Sequence, residues 1–223
     1  MQVSVIIAAA GNGRRLGGDK PKQFQLLGGR PVLAHSLELF NRLAFIHEIY
    51  VAIPGDYISH TQEIISRYGI TKVRKILPGG ANRAESVNLA LKQLSNTDIV
   101  LIHDGARPFA SEELIKTVVD VAASYGAAVA GIPLTDTIKE TDDSGKVITT
   151  PDRSRFWQVQ TPQGFTYDVI TKAYTQGCLS QVTDDSTLVE NMGQAVQMVK
   201  SHPGNIKITT KEDLLLGELI LRR

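Results

Sequence analysis

Hydrophobic and polar positions along the chain fall into two alternating textures. Short runs that stay apolar at successive positions, VSVIIAAA (3–10), EIYVAIP (48–54), TKVRKIL (71–77), DIVLIHD (98–104) and AAVAGIPL (127–134), read as strands. The stretches between them, 31–43, 57–68, 83–94 and 111–125, read as helices, and Ser111 followed by Glu112 and Glu113 makes an N-terminus for the last. Strands apolar on both faces and separated by helices predict a parallel sheet covered on both sides. Ligands of such sheets collect at the carboxyl ends of the strands, near the point where strand order reverses. The residues just after each strand are therefore the ones to weigh for chemistry.

The texture changes after residue 134. TDTIKETDDSGKVITTPDRSRFW holds two short β-like runs around Asp143-Ser144-Gly145, the residue types of a hairpin turn, and no helical apolar face. A two-stranded ribbon is marginal alone, so the 135–155 arm calls for a surface to pack on, which a second subunit would supply. Helices resume at about 166–177, 185–192 and 211–222, with a strand-like AVQMVKS (195–201) before the last. No repeat, low-complexity tract or linker interrupts the chain. The fold class is α/β: a Rossmann-like, mostly parallel sheet with helices on both faces and a protruding β-hairpin arm, in a single domain over 1–223.

Composition narrows the function. Of 223 residues, 42% are hydrophobic and 21% charged, as in a soluble globular domain. The net charge of +1 gives no global field for nucleic acid or anionic lipid, so any anion site must be built locally. No apolar run is long enough for a membrane span, and the N-terminus lacks a signal-peptide pattern. The lone Cys178 excludes an intramolecular disulfide, fits a reducing compartment, and reads as a small packing residue near a helix end. The five histidines have no zinc-ligand spacing. A cytoplasmic enzyme or binding protein is expected, with no nucleic-acid or membrane partner.

Three loops carry candidate chemistry. The first, AAAGNGRRLGGDKPKQF (8–24), leaves the first strand rich in glycine and loaded with Arg14, Arg15, Lys20 and Lys22. It lacks the third glycine of a dinucleotide fingerprint, since Leu16 follows Gly11-Asn12-Gly13-Arg14-Arg15, and no phosphate-binding P-loop occurs. Arg and Lys donors with backbone N–H groups would cradle phosphate oxygens; a solvated turn is the bland alternative. The second, HDGARPF (103–109), sets Asp104 at the sheet's carboxyl edge, where a carboxylate can hold Mg2+ against substrate phosphates or merely cap a turn. Arg107 reads equally as a phosphate contact or as a structural partner, and His103 as structural. The third, GNIKITT (204–210), puts Lys207 in a short β-like run, and TDDS (183–186) either caps a helix or brings Asp184 near a metal.

Together with GGANRAESV, PLTDTIK, TPQGF, VTDDSTLVE and NIKITTKEDL, these loops stand in the order found in the 2-C-methyl-D-erythritol 4-phosphate cytidylyltransferases, which the chain resembles essentially end to end. The first motif is shared by many nucleotidylyltransferases; the combination of HDGARP, TPQ and NIKIT is narrower. The resemblance implies that CTP and methylerythritol phosphate give CDP-methylerythritol and pyrophosphate, with Mg2+, in non-mevalonate isoprenoid synthesis. It also implies roles. Arg15 and Lys22 would hold the triphosphate, Lys207 would reach the α-phosphate, and Asp104 would help hold Mg2+. Ala9, Ala10, Gly11, Gly13, Gly80 and Ser86 would form the nucleotide site. Arg107 would order the substrate side, and Thr161, Thr183 and Thr209 would line the pocket. Thr137 and Arg153, at either end of the arm, would bind methylerythritol phosphate in the neighbouring subunit of a homodimer. Ala81 departs from the family, which often has an acidic residue there.

Two rival readings stand beside this resemblance. A ribitol 5-phosphate cytidylyltransferase tends to show a second glycine in the first motif and a valine before the arginine of the second; AAAG and GAR favour methylerythritol phosphate instead. A nucleotide-binding module without turnover would be favoured by Asp104 and Lys207 lying far from the first loop.

Overall fold

The computed structural model describes residues 1–11, 20–180 and 182–222. The chain opens with β1 (Val3–Ala8), a two-strand ribbon of β2 (Leu26–Leu27) and β3 (Arg30–Pro31), and α1 (Val32–Asn41). There follow β4 (Glu48–Ile53), α2 (Ile58–Arg67), β5 (Val73–Pro78), α3 (Arg83–Leu91), β6 (Ile99–Asp104), α4 (Glu112–Tyr125) and β7 (Ala127–Pro133). The arm carries β8 (Glu140–Thr141) and β9 (Val147–Thr149). It leads to β10 (Trp157–Thr166), α5 (Tyr167–Gln176), α6 (Asp185–Asn191), β11 (Gln197–Lys200) and α7 (Lys211–Leu221).

Seven strands form one sheet in the order β11-β7-β10-β6-β1-β4-β5. Apolar residues on both faces of β1 explain its central place: Val5 and Ile7 join one core layer with Leu37, Phe40 and Ile115, while Ile6 joins the other with Val87, Leu91 and Ile170. All three β1 residues are fully buried, and burial of each such side chain contributes about 1.5–3 kcal/mol. The chain runs from β1 outward through β4 to β5, then returns to the other side of β1 with β6. Strand order thus reverses between β1 and β6. Ser111 caps α4 as expected, its Oγ accepting from Leu114 N at 3.2 Å.

Three expectations are corrected. β10 was not anticipated; it enters the sheet antiparallel to both β6 and β7. Its buried positions include Gln160, Thr161 and Gln163, and its sequence contains Pro162, so neither hydropathy nor strand propensity announces it. The 204–210 segment is not a strand but an irregular run, tied to the β6 loop by Ile208 N donating to Ala106 O at 2.8 Å. Cys178 is exposed rather than packed.

Between β7 and β10 the chain leaves the sheet. β8 and β9 pair only with each other among the described residues, and Val147 and Ile148 are 51% and 62% exposed. The hairpin turn has the expected chemistry: Asp142 Oδ1 accepts from Ser144 N and Lys146 N, both at 3.0 Å, and Gly145 supplies a φ of +83°. No helix among the described residues is long and apolar enough to cross a membrane.

Candidate active site

A cleft of ≈ 390 Å³ opens at the carboxyl ends of β1 and β6, where strand order reverses. Its walls come from the ends of four strands, β1, β4, β5 and β6, and small residues let them meet. A Cβ on Gly79 would collide with that of Ala10, and one on Gly105 would lie 2.7 Å from that of Ala9. Gln23, buried, donates its side-chain amide to Ala9 O at 2.5 Å, which ties the turn carrying Lys22 to the end of β1. Phe24, next along, stacks on Tyr57 with ring centroids 4.6 Å apart.

The facing wall is the start of α3. Asn82 caps the helix, its Oδ1 accepting from Glu85 N at 2.8 Å. Ser86 Oγ accepts from Gly80 N at 3.0 Å and donates to Asn82 O at 2.8 Å. Glu85 Oε2 accepts from Ala81 N at 2.9 Å. The 80–82 loop is therefore fixed by the first turn of the helix it leads into.

The floor is a buried carboxylate ringed by cations. Asp104 is 6% exposed. Its Oδ1 accepts from Arg83 Nε at 3.1 Å, and its Oδ2 lies 2.7 Å from Lys207 Nζ and 3.6 Å from Arg107 Nε. Burial by itself would push this carboxyl up, but Arg83, Lys207 and Arg107 outweigh it and hold Asp104 well below the usual carboxylate range. Arg83 reaches a second carboxylate, its Nη1 donating to Asp185 Oδ2 at 2.7 Å.

Behind Asp104 a neutral scaffold sets the turn. His103 is fully buried, and burial brings its pKa down to about 4. Its Nε2 faces Arg107 O at 2.8 Å and therefore carries the proton; its Nδ1 accepts from Thr161 Oγ1 at 3.1 Å. Thr161 Oγ1 in turn accepts from Asp104 N at 3.1 Å. Arg107 Nη1 donates to Asn205 O at 2.8 Å, and Asn205 Nδ2 donates to Gln160 Oε1 and Thr161 O, both at 3.0 Å. Those bonds lock the irregular 204–210 run against β10 and so aim Lys207 at the floor. The arrangement suits a highly charged anion: cations and fixed backbone at a sheet's carboxyl edge, with one carboxylate among them.

A family model described as 2-C-methyl-D-erythritol 4-phosphate cytidylyltransferase matches residues 3–223. The chain belongs to that family. A protein of this name from Syntrophotalea carbinolica is 45% identical, over 99% of the chain and 97% of its own length. Another, from Lysinibacillus sphaericus, is 40% identical over 100% and 97%. The crystal structure of 4-diphosphocytidyl-2C-methyl-D-erythritol synthase from Anaerococcus prevotii superposes with a TM-score of 0.87, at 35% identity, covering 100% of the chain and 96% of that one. As a family member the chain is a nucleotidyltransferase, and nothing in these relatives favours the ribitol phosphate alternative.

Of the residues singled out in the sequence, Ala9, Ala10, Gly11, Lys22, Gly80, Ser86, Asp104 and Lys207 line the cleft together. Gly13 and Arg15 lie outside the described residues. Arg107 and Thr161 sit behind Asp104, engaged in the scaffold above. Thr183 is exposed ahead of α6, and the backbone N–H of Thr209 donates to Asp213 at the start of α7. Thr137 and Arg153 stand at the base of the arm, Arg153 donating to Thr135 O at 2.5 Å, and neither is among the cleft's lining residues. Asp184 caps α6, accepting from Thr187 N at 3.1 Å. Sequence reasoning missed Arg83 and its partner Asp185. The signal for Arg83 was present, since it opens α3 just past the end of β5, where the rule of strand ends directs attention.

Proposed function

We propose that the cleft carries out cytidylyl transfer from CTP to 2-C-methyl-D-erythritol 4-phosphate, releasing pyrophosphate. One juxtaposition carries the reading: Lys207 and Asp104, from distant parts of the chain, meet at 2.7 Å on the floor of a cleft that Gly11 and Lys22 also line. A plain binding module has no need for that convergence. The cytosine lies against the backbone of Ala9, Ala10 and Gly80 and against Ser86, and the triphosphate runs toward Lys22 and Lys207; Gly11 and Gly13 complete the nucleotide site, and Arg15 shares the hold on the triphosphate.

The acceptor's phosphate oxygen attacks the α-phosphorus of CTP, the bond from that phosphorus to the bridging oxygen breaks, and pyrophosphate leaves. The acceptor is a phosphate monoester with a second pKa of roughly 6, so it is largely ionised at neutral pH and no side chain has to remove a proton. What this chain supplies is relief of anion–anion repulsion and in-line placement. Lys207 stabilises charge on the α-phosphate, and Lys22 stabilises charge on the leaving pyrophosphate. Arg107 orders the acceptor side through the Asn205 segment, beside Thr161, Thr183 and Thr209.

The residues present also fit Mg2+. Asp104 is a single carboxylate at the floor of the cleft, and Mg2+ is held by one or two carboxylates together with substrate phosphates. Among the described residues no cluster of three acidic, His or Cys ligands forms an all-protein cage. Bound with the triphosphate, the ion supplies charge neutralisation at the phosphate oxygens.

Thr137 and Arg153 contact methylerythritol phosphate from a second subunit, in a cytoplasmic homodimer joined by the 135–155 arm. Their absence from the lining of their own cleft and the exposure of Val147 and Ile148 support that reading. The deciding assay is pyrophosphate release from CTP with methylerythritol phosphate and ribitol 5-phosphate as parallel acceptors. Release with the first and not the second is expected; equal release, or none, would overturn the assignment.

A further inference from the structure

Arg83 is the first residue of α3, yet its guanidinium spans the floor of the cleft to two carboxylates from distant parts of the chain, Asp104 at the end of β6 and Asp185 at the start of α6. Nε donates to Asp104 Oδ1 at 3.1 Å, and Nη1 donates to Asp185 Oδ2 at 2.7 Å. Asp185, 1% exposed, is held on its other oxygen by Tyr174 Oη, which donates at 2.5 Å. Asp185 is not among the cleft's lining residues, whereas Arg83 and Asp104 are. A chain of four side chains thus runs from the hydrophobic layer under α5 to the reacting end of the cleft.

In the unliganded arrangement Asp104 is held from two sides, by Lys207 on Oδ2 and by Arg83 on Oδ1. When Lys207 turns to a bound phosphate, Arg83 Nε keeps the one hydrogen bond to the carboxylate, with Arg107 Nε standing off at 3.6 Å on Oδ2. An unanchored guanidinium beside a triphosphate would itself be drawn to the phosphates, because forked Arg–phosphate pairs are strong. We propose that Asp185 and Tyr174 are positioning residues that keep Arg83 on Asp104 while substrate anions fill the cleft. The inference rests on the cytidylyl-transfer reading. Arginine is required in the middle, since its planar fork presents Nε and Nη1 to two separate carboxylates, which a lysine ammonium cannot do from one place.

The test is Asp185→Asn, which keeps the side chain's shape and removes its charge. Its crystal structure with CTP bound is expected to have Arg83 Nε parted from Asp104 Oδ1. Its turnover should fall roughly 10- to 100-fold, the scale of a displaced group at a reacting centre, with the KM for the acceptor changed far less. Arg83→Lys should not rescue and should match Arg83→Gln. Arg83 still bonded to Asp104 in the Asp185→Asn crystal would overturn the proposal. So would a loss confined to thermal stability, with turnover per folded molecule intact. If Asp185→Asn does not fold, Tyr174→Phe makes the same comparison with one hydroxyl removed: a several-fold loss of turnover at unchanged melting temperature supports the anchor, and wild-type turnover overturns it. A wild-type protein that released no pyrophosphate would instead sink cytidylyl transfer, and the Arg83–Asp104 separation in the variant crystal would still judge the anchor.

Discussion

At the floor of the cleft, Asp104 lies buried among Arg83, Arg107 and Lys207; along the arm, every residue from 139 to 150 is exposed. The first region is organised entirely by its own chain. Each charge there has a partner, and removing one partner of a buried set leaves an uncompensated ion, at about 3–5 kcal/mol. In the arm, charged and apolar side chains alike face outward, and a surface substitution in such a place shifts stability within about 0.5 kcal/mol. The floor is thus prepared before any ligand arrives, whereas the arm is held only by the pairing and turn bonds of its own hairpin. The two regions should therefore fail in different ways: the floor by losing chemistry within one subunit, the arm by losing cooperation between subunits.

The strongest way to break this contrast is Lys207→Ala. At saturating CTP and acceptor, turnover should fall on the order of 10²–10³-fold, with circular dichroism unchanged because Lys207 is 37% exposed and sits in an irregular run rather than a sheet strand. Near-normal turnover would remove Lys207 from the mechanism. A second experiment asks whether the arm serves a neighbour. Arg153→Ala and Lys207→Ala proteins, each impaired alone, are dissociated and mixed. If the arm works across the dimer, each mixed dimer regains one intact site and activity rises above that of either parent; no rise on mixing would confine the arm to its own subunit.

The smallest effect is expected away from both regions. His35 is mostly buried on α1, with Nε2 at 2.8 Å from Leu27 O, and burial lowers its pKa, with Arg30 adding to the effect. The folded protein therefore keeps His35 neutral while the unfolded chain takes up a proton below about pH 6.5. Protons bound in excess by the unfolded state make stability fall as pH falls, starting near that value and continuing down to the lowered folded pKa. Melting temperature should drop between pH 7 and pH 5, and less steeply in His35→Gln. Parallel slopes would show that His35 does not contribute.

Much of the fold was legible because the parallel strands are written in apolar residues on both faces, as in VSVII and IVLI. β10 was not, because a central strand can be polar where its partners are built in: Gln163 donates to Asp184 Oδ2 at 3.0 Å and accepts from Ser186 N at 3.2 Å. Hydropathy sees three glutamines and a proline and passes over them. In the site, Asp104 and Lys207 could be singled out by position and type. Arg83 could not be weighed properly, because its importance lies in a bond to Asp185, about a hundred residues away. Pairings of that range exist only once the topology brings α3 and α6 to the same face.

The direction of β10 has one more consequence. β7 ends at Pro133 and β10 begins opposite it at Trp157, so the chain leaves and re-enters the sheet at adjacent points on the rim that bears the cleft. Leu134 N donating to Phe156 O at 3.0 Å closes that doorway. Everything beyond it is an insertion within a hairpin. The tip between β8 and β9 can therefore change in length while the strands that carry the chemistry keep their register.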